Sequence, residues 1–528
     1  MTSPTLRLIA GAALTTLALA CHSAEDDAIG RFEINRFEVA GNTLLAKVQI
    51  DRVLAPYTGK SRSFGDVQQA LEALEAAYHG IGYHVVQVAL PEQELNQGVV
   101  KLQVIETRLG KIRVEGSLHH DEANIRRSVP ELREGVPPDL GRISSSLKLA
   151  NENPSKKTTL QLQSGERDDE IDALLKVSDE KPWRVAAMID NSGNRTTGQT
   201  QLTTQLQYAN VANADHVLSL QYTTTVQKPS QVSVYGVGYH IPFYSLGDSM
   251  DLFASYSDVD SGSVLAGIVN LQVSGRGTIL GARYNQNLRR AGDYESRLSY
   301  GLDHREYRNN VLVQGTQLGN DVTVHPLSVT YGGTWTLAQS EFNFNVTGMR
   351  NLPGGERGTQ ADFDRVRAGA RAAYTILRYN ANYVRALPGD WQLRLGFTGQ
   401  QTGDALVPGE QFGAGGATTV RGFNERDLSN DRGQLINAEL YTANLCTGMT
   451  AIAAQCRALA FYDAAQVRRN DALPGEQDNA SIASVGLGMR MAVGKSMTMQ
   501  LDYGRVVNAG VTQARGDSRV HVRIGLTY

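Results

Sequence analysis

Long apolar runs are missing from this chain. After the N-terminus no stretch of about 18 apolar residues occurs in its 528 residues, which excludes a bundle of membrane-spanning helices. No charge of one sign predominates: 51 Lys and Arg face 54 Asp and Glu, the formal net charge is −3, and the charges are mixed along the sequence. Nucleic acid is therefore not an expected partner. Catalytic signatures are missing too. There is no G-x-S-x-G, no H-E-x-x-H and no Walker motif, so neither an enzyme nor a cofactor or metal site is expected. Cysteine is scarce, with three in all.

The one apolar segment runs from Leu8 to Ala20 behind the lone basic Arg7 and closes with Ala18-Leu19-Ala20. This is the pattern of a secretory signal peptide over residues 1–20 with an Ala-x-Ala cleavage site. Cys21 directly after the site also opens a lipoprotein reading, which Ala18 and Leu19 fit poorly. The chain is expected to be exported to a compartment where disulfides persist.

Composition divides the exported part near Pro182. Before it, acidic and aliphatic residues alternate at helical spacing; after it, Gly, Thr, Ser, Tyr, Asn and Gln dominate. The first part holds a weak repeat. Phe32 to Gly41 reads as a strand and Val48 to Leu54 as a short helix. Ser63 with Asp66 then resembles a capping box. Val67, Ala70, Leu71, Leu74, Ala77 and Tyr78 form one apolar helix face ending at Gly80. Strands follow at His84 to Leu90 and Val99 to Ile105. The same β-α-α-β-β order recurs faintly from Gly110, with Ile112 to Gly116, helices at Glu122 to Ser128 and Ile143 to Asn151, and strands at Thr159 to Gln163 and Ile171 to Val177. The expected units are 31–106 and 107–180. Each is near the lower limit for a self-sufficient core, which suits a binding module better than an enzyme.

From Trp183 to Tyr528 the sequence breaks into segments of period-2 alternation such as Gln201 to Tyr208, Val232 to Ile241, Ile482 to Met491 and Arg519 to Tyr528. At about 22 residues for a strand and its connection, 183–528 accommodates 16 antiparallel strands of a transmembrane barrel. Val522, Ile524, Leu526 and the terminal Tyr528 alternate to the last residue. Short connections such as Asn213-Ala214-Asp215 alternate with long ones such as Arg308 to Asp321, as turns and external loops of such a barrel do.

The longest non-strand segment, about 402–432, contains Gly413, Gly415 and Gly416 and then Val420-Arg421-Gly422-Phe423. Together with Tyr78, Gly82-Tyr83, Leu90-Pro91-Glu92-Gln93 and Gly98 of the first unit, this resembles the outer-membrane transporters of two-partner secretion, the TpsB family, which carry paired POTRA domains before a barrel. The resemblance implies a non-enzymatic translocase that exports an unfolded haemolysin- or adhesin-like exoprotein through its N-terminal secretion domain. It also implies that the POTRA domains lie in the periplasm, that the barrel contacts outer-membrane lipids, and that barrel-assembly machinery inserts it. An assembly factor of the same superfamily and a solute porin are the alternatives.

In that family the V-R-G-F loop folds into the lumen and its arginine pairs with an aspartate of an F-x-D-x-G motif. Phe461-Tyr462-Asp463-Ala464-Ala465 matches up to Ala465, where glycine is usual. Arg421 and Asp463 are thus the expected pair, with Phe461 on the face of Asp463 by alternation; the other reading of Arg421 is a solvated loop charge. Tyr78, Tyr83, Val85 and Val88 are the candidate cargo contacts of the first POTRA unit. The few residues between Ala20 and Phe32 leave little room for the plug helix that many relatives carry. Cys446 and Cys456 flank a connection between two expected strands, where a disulfide closing the turn is expected and two free thiols are the alternative. His119-His120 reads as a surface pair, and Gly247-Asp248-Ser249 and Gly516-Asp517-Ser518 as turn residues.

Overall fold

The computed structural model describes residues 31–94, 97–259, 263–266, 271–274, 276–308, 312–313, 316–317, 320–448 and 453–528. The segment expected to be a signal peptide lies outside them. The described chain separates into two compact units, with the break between Arg108 and Leu109; 135–141 and 165–171 also join the first. The sequence suggests three bodies after the signal. Most of the second POTRA-like module, 109–134, 142–164 and the stretch from 172, instead packs with the barrel as one unit.

In the first unit the expected Phe32 to Gly41 strand is two strands, β1 (Phe32–Ile34) and β2 (Arg36–Ala40). The break falls at Asn35, whose N–H turns to the Gly98 carbonyl at 2.7 Å. There follow α1 (Lys47–Leu54), β3 (Gly59–Arg62), α2 (Phe64–Gly80), β4 (Gln87–Ala89) and β5 (Val99–Ile105). β1 pairs with β3, and a three-stranded sheet runs β2-β5-β4, with β2 parallel and β4 antiparallel to β5. At the start of α2 the Ser63 N–H donates to the Asp66 carboxylate at 2.8 Å while the Asp66 N–H donates to the Ser63 hydroxyl, so two otherwise orphaned helix-end donors are satisfied. The apolar face of α2 buries Val67, Ala70, Leu74 and Tyr78 against Val88, Val100, Leu102 and Val104 of the sheet. Burying each large side chain contributes about 1.5–3 kcal/mol. Gly41 closes β2 at φ +81°, and a Cβ there would lie 2.2 Å from the Val104 carbonyl, so this turn demands glycine.

The second unit opens with β6 (Arg108–Glu115), α3 (Glu122–Arg127), α4 (Leu140–Ala150), β7 (Lys156–Ser164) and β8 (Glu170–Asp179), with sheet order β6-β8-β7. The Asp121 carboxylate caps α3 by accepting from the Asn124 N–H at 2.7 Å. His120 is not a surface residue as its sequence neighbourhood suggests. It is buried, with Nδ1 3.1 Å from Asp179 and Nε2 3.3 Å from the Ser155 hydroxyl.

The barrel is closed and consists of 16 strands, from Trp183–Asp190 to Ser518–Thr527. Val322–Val324 and Pro326–Leu337 are two halves of one of them, interrupted where Pro326 has no N–H to give the ladder. The last strand pairs with the first from Arg523↔Asp190 to Thr527↔Ala186, and Tyr528 exchanges two backbone bonds with Val185. No strand edge is left at this seam. Alternation sorts the side chains: Ile436, Leu440, Tyr462, Val485, Leu487 and Tyr503 are exposed on the outer face, whereas Leu435, Phe461, Asp463, Ala465 and Asp502 are buried inside. An apolar exterior around a polar interior is the pattern of a membrane barrel.

Short turns such as 244–247, 338–339 and 494–496 lie at one end, and the long connections 352–374 and 402–431 at the other. The second POTRA-like module docks at the short-turn end. Asn124 Nδ2 donates to the Asn213 carbonyl at 3.0 Å, Ser146 Oγ to the Tyr244 carbonyl at 3.2 Å, and Arg297 pairs with Glu152 at 2.7 Å. Cys446 and Cys456 are bonded, with Cα atoms 5.3 Å apart, across the turn between the Arg432–Tyr441 and Ala454–Arg468 strands. Mass spectrometry of a non-reduced digest is expected to show the linked peptides; full alkylation of both thiols before reduction would contradict the bond.

Candidate functional site

The segment between Gln401 and Arg432 descends into the lumen as a hairpin whose limbs pair briefly, Phe412↔Asn430 to Ala414↔Leu428. At its tip Arg421 is 4 % exposed and Asp463 is fully buried. Arg421 Nε and Nη2 donate to the two oxygens of Asp463 at 2.7 and 2.8 Å, and its backbone N–H adds a third bond at 3.1 Å. Nη1 donates to Glu439 at 2.7 Å and approaches Asp502 at 3.4 Å, while the Phe461 ring lies under the guanidinium at 3.5 Å. A planar fork meeting a carboxylate bidentately, with an aromatic face beneath it, is the geometry arginine makes and lysine does not. Arg421 is thus not a solvated loop charge.

Each wall partner sits where strand register places it. Asn437 is directly opposite Asp463 and Glu439 opposite Phe461. Asn437 Nδ2 donates both to Asp463 at 2.7 Å and to the Thr419 carbonyl of the tip at 2.6 Å. Asp502 is held by Arg490 at 2.8 Å, and Glu439 accepts from the Tyr441 hydroxyl at 2.8 Å. The Gly422 N–H donates to His521 Nε2 at 2.9 Å.

Val420 and Phe423 are fully buried in a cluster with Ala414, Leu428, Leu435, Ala465, Val467, Ile482 and Val506. The methyl of Ala465, standing where the resemblance leads one to expect glycine, is therefore part of the packing. The close approach of tip to wall falls elsewhere, at Gly504, where a Cβ would lie 2.7 Å from the Gly422 nitrogen, while Gly486 of the wall leaves room for the Phe461 ring, which a Cβ would meet at 2.3 Å. Gly422 itself has φ +92°, the left-handed region that favours glycine.

Two further buried carboxylates hold the limbs of the hairpin. Glu410, fully buried, accepts from Arg305 Nη1 at 2.8 Å, the Tyr307 hydroxyl at 2.8 Å and Arg378 Nη2 at 3.2 Å. Asp431, also fully buried, is held by Arg367. Neither stands out in the sequence, because the partners come from distant connections and strands. The only signal was acidic residues inside a Gly-rich segment.

The cargo candidates of the first unit fare differently. Tyr78 is fully buried in the core, its hydroxyl donating to Asn42 Oδ1 at 2.5 Å, and Val88 is buried beside it. Burial, with Glu106 nearby, pushes the Tyr78 hydroxyl up to about 12. These two are corrected from contact residues to core residues: the spacing that made them conspicuous is the spacing of the buried helix face and of the inward side of the sheet. Tyr83 and Val85 are half-buried and retain surface for contact.

The profile of the family described as "Haemolysin secretion/activation protein ShlB/FhaC/HecB" matches residues 169–491, and that of the ShlB-type POTRA domain matches 32–107. A heme/hemopexin transporter protein, HuxB, of Haemophilus influenzae is 20 % identical over 474 residues, covering 88 % of this chain and 82 % of that protein. The outer membrane transporter CdiB of Escherichia coli O6:K15:H31 is 26 % identical over 430 residues, covering 78 % of this chain and 68 % of that protein. The solved structure of CdiB from Escherichia coli superposes with a TM-score of 0.75 at 21 % identity, covering 97 % of this chain and 93 % of that one.

Proposed function

Because the chain belongs to the haemolysin secretion/activation family ShlB/FhaC/HecB, outer-membrane transporters that secrete partner proteins, we propose that it exports one unfolded haemolysin- or adhesin-like exoprotein through its own barrel. The observation that carries this reading is the lumen hairpin. Arg421, pinned on Asp463 inside a closed membrane barrel, makes a plug that is fixed by a few polar bonds and a small apolar cluster rather than by the strand ladders that hold the barrel. Such a plug is stable at rest and displaceable by a chain that competes for the lumen. The POTRA modules supply periplasmic capture. The sheet of the first has β2 and β4 at its edges, and an extended segment adds to such an edge by main-chain hydrogen bonds. Tyr83 and Val85 border this module as candidate side-chain contacts. No bond of the cargo is made or broken in this scheme; folding of the cargo outside draws it forward. The solute-porin reading predicts no POTRA module, whereas the ShlB-type POTRA profile matches 32–107.

The test uses the full chain in proteoliposomes and the urea-unfolded exoprotein encoded beside its gene. Time-dependent protection of the exoprotein from external protease, lost when 31–106 are deleted, is the expected result. Equal protection in vesicles lacking the chain ends the reading.

A further inference from the structure

The hairpin is tied at its outer end as firmly as at its tip, and by a different set of segments. Asp431 is fully buried and its carboxylate is the meeting point of four pieces of chain. Arg367, at the end of α5 (Gln360–Val366) in the 352–374 connection, engages both its oxygens, Nη2 at 2.9 Å. The Leu406 N–H of the descending limb donates at 2.9 Å, Gln411 Nε2 at 3.3 Å, and the Asn470 N–H of the 469–478 connection at 2.7 Å. Arg367 Nη1 and Nη2 also donate to the Leu406 and Asn470 carbonyls at 2.7 and 2.8 Å. Around this point Phe363, Ala370, Ala372 and Tyr374 of the 352–374 connection bury against Leu406 and Val407 of the hairpin. Ala370 also bridges Ala405 as a parallel β-partner.

We propose that Arg367 and Asp431 form an outer latch that welds the 352–374 connection to the base of the plug, so that the cover at the long-loop end and the plug open together and only when this pair parts. Arg367 and Asp431 are positioning residues for the gate and touch no cargo. The carboxylate, itself on the returning limb, accepts from the descending limb and from two neighbouring connections at once, so its loss releases all four segments, whereas loss of the tip pair frees the tip alone. The latch rests on the reading of the barrel as a gated export pore only for its secretion arm. Its conductance arm stands without a cargo.

Asp431→Asn and Arg367→Ala, purified as full chains and placed in planar bilayers, are expected to raise the frequency of open events by about tenfold or more. Arg365→Ala, on the exposed side of the same helix, is expected to leave it unchanged. A second variant avoids dependence on folding defects. Ala370 and Ala405 face each other across an isolated parallel bridge, where paired backbones lie about 4.8 Å apart, so Ala370→Cys with Ala405→Cys puts two cysteines within disulfide reach. Oxidation is expected to silence conductance and stop secretion, and reductant to restore both, with the wild-type chain under the same reductant as control. Unchanged opening in both single variants, or normal secretion by the oxidised double-cysteine protein, overturns the latch. A wild-type chain that conducts but exports nothing counts against the export reading, and the conductance comparison still decides the latch.

Discussion

Arg421→Ala is expected to give a barrel that inserts, stays closed at its seam and keeps its disulfide, yet secretes poorly. Removing the guanidinium strips Asp463 of two of its four hydrogen bonds, leaving the Arg421 N–H and Asn437 Nδ2. Taking one partner from a buried ion pair costs about 3–5 kcal/mol, because the remaining charge stays buried. That cost falls on the position of the tip. The barrel itself is held by sixteen paired strands, each with its own ladder. Asp463→Ala is expected to produce the same defect, since Arg421 then faces only Glu439 and the more distant Asp502. The double variant should be little worse than either single, because all three break one interaction. Arg421→Lys is expected to rescue little, since an ammonium cannot span both carboxylate oxygens and lie on Phe461 at once. The measurement is exoprotein in the medium, beside folded barrel in the membrane by heat-modifiable migration. Additive losses would show that the two residues do not act together, and normal secretion by both singles would remove the tip from the gate.

What the sequence discloses and what it hides follow from the range of the interactions concerned. The alternation Val522, Ile524, Leu526, Tyr528 is local, and it marks an outward apolar face that the closing strand does carry. Ser63 and Asp66 are three positions apart, and their reciprocal capping is equally legible. Arg421 and Asp463 could be paired only through the resemblance, since 42 positions separate them and no periodicity links a loop to a wall. Arg367 and Asp431, 64 positions apart, had no such aid. Tyr78 shows the opposite error: a conspicuous aromatic at helical spacing is a core residue first. His120, read as a surface residue, and Lys156, which escaped notice, were hidden for a related reason. A short polar sequence reads as surface, whereas His120 is buried against Asp179 and Ser155 of its own module and Lys156 by the docking of that module on the barrel turn at Asp215.

That docking makes Lys156 the second site where a single change is expected to have a large effect. Its side chain is fully buried, and Nζ donates to Asp215 Oδ2 at 2.5 Å and Asn124 Oδ1 at 2.7 Å, while the Tyr244 hydroxyl donates to the same Asp215 oxygen at 2.7 Å. Burial pushes the lysine ammonium below its ordinary range and Asp215 pulls it back. Asp215 Oδ1 has no hydrogen-bond partner among the described residues, so its charge depends on Lys156. Lys156→Met therefore leaves a buried carboxylate with one hydroxyl, at a cost of about 3–5 kcal/mol. The strain is relieved by pulling the POTRA-like module away from the turns at Asn213 and Tyr244 rather than by opening the barrel. Protease cleavage around Lys181 and Pro182 is expected to accelerate, with heat-modifiable migration unchanged. Asp215 sits at φ +62°, a conformation asparagine tolerates. Lys156→Met with Asp215→Asn removes both charges without straining the turn, and it is expected to recover most of the protection, since a buried ion pair replaced as a pair costs little. If Lys156→Met is cleaved no faster than the wild-type chain, the module is held by its other contacts and the ion pair has no part in fixing it to the barrel.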